Sequence, residues 1–151
     1  MGSKLESSNN IPSFFIWAKR DPIDAPLEKI QMIKGWTENG NTYEKVMDIA
    51  CSNGPVNEET GFCKKTDAVV DLNNCSISEN IGSEEIKVQW SDLNYNQDQN
   101  AFYYIRVIQN PTCRWSTYDS LRIGKEAPDN FAATVNEMAW SSPIWISKNL
   151  Q

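Results

Sequence analysis

The stretch Ala101–Tyr118, AFYYIRVIQNPTCRWSTY, decides how the rest of the chain is read. Its first nine residues are the most strongly β-prone run in the sequence, built from aromatic and β-branched side chains. Tyr103, Ile105 and Val107 alternate to one face, and Phe102, Tyr104, Arg106 and Ile108 to the other. Apolar residues on both faces predict a central strand covered on both sides, with Arg106 snorkelling or paired. Pro111 has no N–H to give a ladder, so the strand is predicted to stop at Asn110.

Working outward, Ser13–Lys19 (SFFIWAK) predicts a first strand, closed by Arg20-Asp21-Pro22, with residues 21–26 as a loop. Lys29–Thr37 and Thr42–Cys51 flank Glu38-Asn39-Gly40-Asn41. An Asn-Gly pair between β-patterned runs predicts a hairpin, because both residues tolerate positive φ. On its returning strand Tyr43, Met47 and Ile49 share one face, and Glu44 and Asp48 the other. Ala68–Leu72 reads as a short edge strand, and Glu85–Trp90 as a half-buried one with Ile86, Val88 and Trp90 inward. Beyond Pro111, short helices are predicted over Thr117–Ile123, capped by Ser116 or Thr117 and stopped by Gly124, and over Ala132–Ala139. A loop over 124–130 separates them, and Ser142–Ser147 is the last strand.

This pattern predicts a mainly β chain: an antiparallel immunoglobulin-like β-sandwich with one or two short helices before the last strand. Residues 1–12 are expected to be a disordered tail and 13–151 a single domain. Tyr103 sits where the tyrosine corner of such sandwiches would lie.

Composition narrows the function classes. A net charge of −6 leaves no basic stripe for nucleic acid, and the apolar runs are far too short to insert into a membrane. The N-terminus lacks a secretory apolar region, so the protein stays in the cytosol or the chain is a piece without its leader. The cysteines favour the second reading. There are four, Cys51, Cys63, Cys75 and Cys113, with no C-x-x-C pair and no His for a mixed zinc site. Two disulfides in a periplasmic or extracellular setting account for them. Three connectivities exist, of which Cys51–Cys63 is preferred because a bridge across that short polar loop stands in for missing core; Cys75–Cys113 then remains and would hold Arg114 and Trp115 in place.

Asp92, Asn94, Asn96, Asp98 and Asn100 alternate like calcium ligands, but Gln97 and Tyr103 stand where the calcium loop needs Gly and Glu. An Asx-rich turn is the simpler reading, with weak calcium binding at Asp92, Asn94, Asn96 and Asp98 left open. With no His, no nucleophile–base pair stands out, and Glu58-Glu59 and Glu84-Glu85 read as solvated carboxylates. No catalytic residue, metal or cofactor is expected in this chain. Asn74-Cys75-Ser76 matches a glycosylation sequon. The candidate binding surface is Arg114, Trp115 and Tyr118, extended by Trp140 and Trp145, since an Arg beside Trp and Tyr just past a strand end can stack and pair with anions.

FFIWAKRDP, LEKIQMIKGW, TYEKVMDIAC, AFYYIRVIQNPTCRWSTYDSLRIG and NEMAWSSPIWIS, in that order from Ser13 to Ser147, resemble the C-terminal region of the bacterial family known as domain of unknown function 3604. The resemblance implies a long, exported protein whose N-terminal part resembles metal-dependent hydrolases of the polymerase-and-histidinol-phosphatase type. It assigns no catalytic residue within these blocks. The expected function is therefore a non-catalytic β-domain that packs on or completes the upstream catalytic domain of the same protein. The alternative is a free-standing extracytoplasmic module for a carbohydrate or another small polar ligand.

Overall fold

The computed structural model describes residues 2–126 and 130–147. The end of the expected domain, residues 148–151, and part of the expected 124–130 loop lie outside the described residues. The described chain is mainly β, with strands β1 (Ser3–Glu6), β2 (Ser13–Lys19), β3 (Leu27–Glu38), β4 (Asn41–Cys51), β5 (Val70–Asp71), β6 (Ser76–Ile77), β7 (Glu85–Ser91) and β8 (Asn100–Cys113). Helix α1 (Trp115–Ile123), β9 (Thr134–Trp140) and β10 (Ile144–Ser147) complete it.

The largest sheet runs in the order β1-β10-β8-β3-β4, with β9 also on β8. All its pairings are antiparallel except β1 on β10. The antiparallel ribbon β2–β7 lies across one face. Between the two layers sits the core: Ile16 and Ile86 from the ribbon meet Ile30, Met32, Ile49, Ala101, Tyr103 and Ile146 from the sheet. The alternation of β7 is as expected, with Ile86 buried and Lys87 and Gln89 exposed. In β2 the same alternation turns Phe15 and Trp17 outward, and Trp17 donates its indole N–H to Glu85.

The hairpin β3–β4 turns at Asn39 and Gly40, whose φ values of 51° and 78° are the left-handed pair a tight two-residue turn demands. The register shifts between Ile30 and Gln31, and Asp48 and Ile49, successive residues of β4, are both buried, on opposite faces.

Four expectations differ from what is observed. The strand does not stop at Asn110: β8 continues through Pro111 to Cys113. A register shift between Ile108 and Pro111 places the proline where its missing N–H breaks no ladder bond, and the Asn136 amide donates to Gln109 O there at 2.8 Å. On the edge where β10 pairs only with Ala101–Tyr103, β8 is open from Arg106 to Cys113, and residues 134–140 fill it as β9 instead of forming the second helix. Helix α1 starts two residues before Thr117, with Arg114 at its N-cap and no capping side chain, and ends as expected on left-handed Gly124. The segment expected as a tail carries β1, whose side chains are all exposed; parallel backbone pairing with β10 holds it, which no hydrophobic pattern announces.

Candidate functional site

The Arg114–Tyr118 segment is fixed from both sides. Cys75–Cys113 forms one bridge and Cys51–Cys63 the other, both with Cα atoms 5.6 Å apart, and no described cysteine is free. Just past Cys113, the Arg114 N–H donates to Ala133 O and its Nε to Ala132 O at 3.0 Å. Thr117 is the one buried residue of α1, and its hydroxyl donates to Ala133 O at 2.7 Å. Those bonds turn Trp115 outward, 69% exposed, with its ring tilted against Tyr118 at 5.7 Å between centroids. Ile123, at the other end of α1, and Phe131 are also exposed, at 65% and 59%. Arg114, Trp115 and Tyr118 are thus brought together.

Trp140 and Trp145 are not with them. Trp140 pairs opposite Arg106 at the far end of β9, and Trp145 pairs opposite Phe102 on β10. From Phe102 to Cys113 β8 advances up to about 36 Å at strand spacing.

Arg106 is paired rather than snorkelling. Its Nε donates to the Gln31 carbonyl oxygen at 2.8 Å, and the Gln31 amide donates onward to Asp48 at 2.6 Å. Asp48 also accepts Lys29 Nζ at 3.0 Å and the Cys63 N–H at 2.8 Å. Burial alone would raise the Asp48 carboxyl, but the Cys63, Gln31 and Lys29 donors together hold it below its ordinary value. Cys63 comes from the long β4–β7 connection, so this connection covers the polar half of the sheet face turned away from the ribbon.

A second buried cluster lies on the core side. Lys34 donates to Asp92, which also accepts the Tyr103 hydroxyl at 2.8 Å. Burial, then the Asp92 bond and charge, push the Tyr103 phenol well above its ordinary range. Tyr103 therefore ends on a carboxylate. Asp92 is engaged by Lys34, Tyr103 and the Asn94 N–H, and Asn96 accepts the Asp98 N–H, as in an Asx turn. Among the described residues no group of three or more His, Cys, Asp or Glu side chains could hold a metal ion. Asn74 of the sequon is exposed and accepts the Ser76 N–H, while Cys75 is bridged.

The site that sequence reading missed is the other half of that outward face. Gly35 carries no side chain, and a Cβ there would overlap the Phe102 ring, so Phe102 lies flat across β3. Trp145 leans on Phe102 with centroids 5.0 Å apart, and Tyr104 stacks parallel to it at 6.2 Å. A cavity of about 550 Å³ opens over Phe102 and Trp145, with Lys4 and Glu44 also lining it. Among the described residues no helix is long and apolar enough to cross a membrane.

The model of a family described as "Protein of unknown function (DUF3604)" matches residues 1–148. No curated protein and no solved structure matches the chain.

Proposed function

The chain belongs to the DUF3604 family, and on that footing we propose that it is a non-catalytic C-terminal β-domain of a metal-dependent hydrolase. In this reading it docks on the catalytic part of the same polypeptide through the ridge at α1. The observation that carries it is Trp115, 69% exposed although the backbone beneath it is tied by Cys75–Cys113 and the Ala132 and Ala133 carbonyls. A rigid base presenting a large exposed aromatic against Tyr118 is the form of an interface anchor. Family resemblance supports the occupant, since the related long proteins carry a His-rich part that this chain cannot supply. Two disulfides support a periplasmic or extracellular setting. The ribbon β2–β7 over the large sheet supports reading the fold as a reduced immunoglobulin-like sandwich, its second layer cut to two strands.

The test uses the polypeptide encoded in frame ahead of this chain, made separately and titrated calorimetrically with it. A complex is expected, and Trp115→Ser should weaken it roughly 30-fold, the effect of losing an anchor of about 2 kcal/mol. An upstream frame without a His-rich metal site, or binding that Trp115→Ser leaves intact, refutes the reading.

A further inference from the structure

We propose that the uncovered half of the large sheet is a carbohydrate-binding cradle, in which an uncharged oligosaccharide lies across β1, β10, β8, β3 and β4. This goes beyond the docking proposal and concerns the opposite end of β8.

The cradle follows from register. Lys4 pairs with Trp145, Trp145 with Phe102, Phe102 with Gly35, and Gly35 with Glu44. Directly paired residues share a face, so these five positions form one row at right angles to the strands. Four inter-strand spacings make that row about 19 Å long. Its middle is an aromatic floor, Phe102 over Gly35 with Trp145 beside it, and Trp145 is 47% exposed. Its two ends are a cation and an anion, Lys4 and Glu44, both exposed. The next row, Asn100, Thr37 and Thr42, borders the floor with groups that donate and accept.

That chemistry selects its ligand. A pyranose ring has an apolar C–H face that lies on an aromatic ring, and equatorial hydroxyls that both donate and accept at its rim. Lys4 offers donors only, Glu44 acceptors only, and Thr37 and Thr42 both. A phosphorylated ligand would find a single lysine and no arginine among the described residues lining the cavity, in a chain of net charge −6. A flat apolar partner would leave Lys4 and Glu44 unmatched. The cavity of about 550 Å³ falls in the range of small-ligand sites, roughly 300–1,000 Å³. The length of the row suits several sugar units in place of one.

Cellohexaose, maltohexaose, xylohexaose and mannohexaose serve as probes. Each is titrated into the full chain while tryptophan fluorescence and amide chemical shifts are followed. At least one is expected to bind below about 1 mM, shifting the Trp145 indole and the amides of the row. Trp145→Ala and Gly35→Ala should each weaken it at least roughly tenfold, the first by removing the floor and the second by displacing Phe102. Trp115→Ser should leave it unchanged, which separates this site from the docking ridge. If Gly35→Ala does not fold, Glu44→Gln, at an exposed position, replaces it with the same expectation. No binding by any probe, binding that survives Trp145→Ala, or shifts that map to Trp115–Tyr118 overturns the proposal.

Discussion

Replacing Asp48 with Asn tests whether the polar half of the outward sheet face is held by a charge or by shape alone. The Asp48 side chain is 0% exposed and that of Lys29 is 19% exposed. Its two oxygens accept from three donors: Lys29 Nζ at 3.0 Å, Gln31 Nε2 at 2.6 Å and the Cys63 N–H at 2.8 Å. In Asp48→Asn, one acceptor becomes an NH2 group facing donors, and Lys29 loses its counter-charge. Breaking a buried pair from one side costs about 3–5 kcal/mol. For a chain of this size that is a fall in Tm of roughly 6–20 °C. The pH dependence has a definite sign. The folded carboxyl lies below its ordinary value of 3.8, so the folded state gains from ionisation above that value. The gain is complete above the unfolded value and is lost as pH falls through the folded one. Calorimetric Tm measured from pH 7 down to about pH 2 should show wild type and Asp48→Asn far apart at neutrality and converging in acid. A variant within about 2 °C of wild type at pH 7, or a gap that stays constant into acid, refutes the reasoning.

The bridges should differ in worth: loop-closure entropy gives about 4 kcal/mol for Cys75–Cys113, which spans 38 residues, and about 3 kcal/mol for Cys51–Cys63, which spans 12. Urea midpoints of the two double-alanine variants should fall in that order, and the reverse order would contradict it. Gly40→Ala meets nothing within 4 Å, so its cost is conformational alone, roughly 1–2 kcal/mol at φ 78°; an unchanged urea midpoint would rule that out. Asn110, only 1% exposed, joins Thr66 and the Ile81 carbonyl across the β4–β7 connection. Asn110→Ala should cost about 1–3 kcal/mol and raise amide exchange around residues 64–82; slow exchange retained there would show that the connection does not depend on it.

What could be read from sequence was what local chemistry decides. Asn39-Gly40 fixes its own turn, and the run from Phe102 to Ile108 fixes its own strand, because both signals lie within a few residues. Pro111 and Ala132–Ala139 could not be read that way. A proline ends a strand unless a register shift receives it, and residues 134–140 become β9 because β10 pairs only with Ala101–Tyr103 and the same edge of β8 runs on uncovered to Cys113. The binding candidates show the same division. Arg114, Trp115 and Tyr118 are close in sequence and stay close in space, whereas Trp140 and Trp145, added for residue type alone, lie elsewhere.

The cradle belongs to the illegible class for a stricter reason. Lys4, Gly35, Glu44, Phe102 and Trp145 come from five strands, and a slip of one residue in any pairing would turn one of them to the opposite face. What makes the row a surface is the unequal covering of the outward face. The half with Gln31, Arg106 and Asp48 has to be covered, because a carboxylate removed from water needs all of its donors, and Cys63 brings one of them on the β4–β7 connection. The Cys51–Cys63 bridge anchors that connection where β4 ends, beside Asp48. The half with Phe102, Tyr104 and Trp145 makes no such electrostatic demand, so the connection can leave it uncovered. Exposed aromatics on an open sheet are a standing risk of association, and charged residues at the outer strands limit that risk. Lys4 on β1 and Glu44 on β4 lie at the two ends of the row, where they oppose edge pairing without covering the floor. A sheet face left open in its aromatic part, and guarded at its edges, is suited to a ligand that needs a flat ring surface and polar ends.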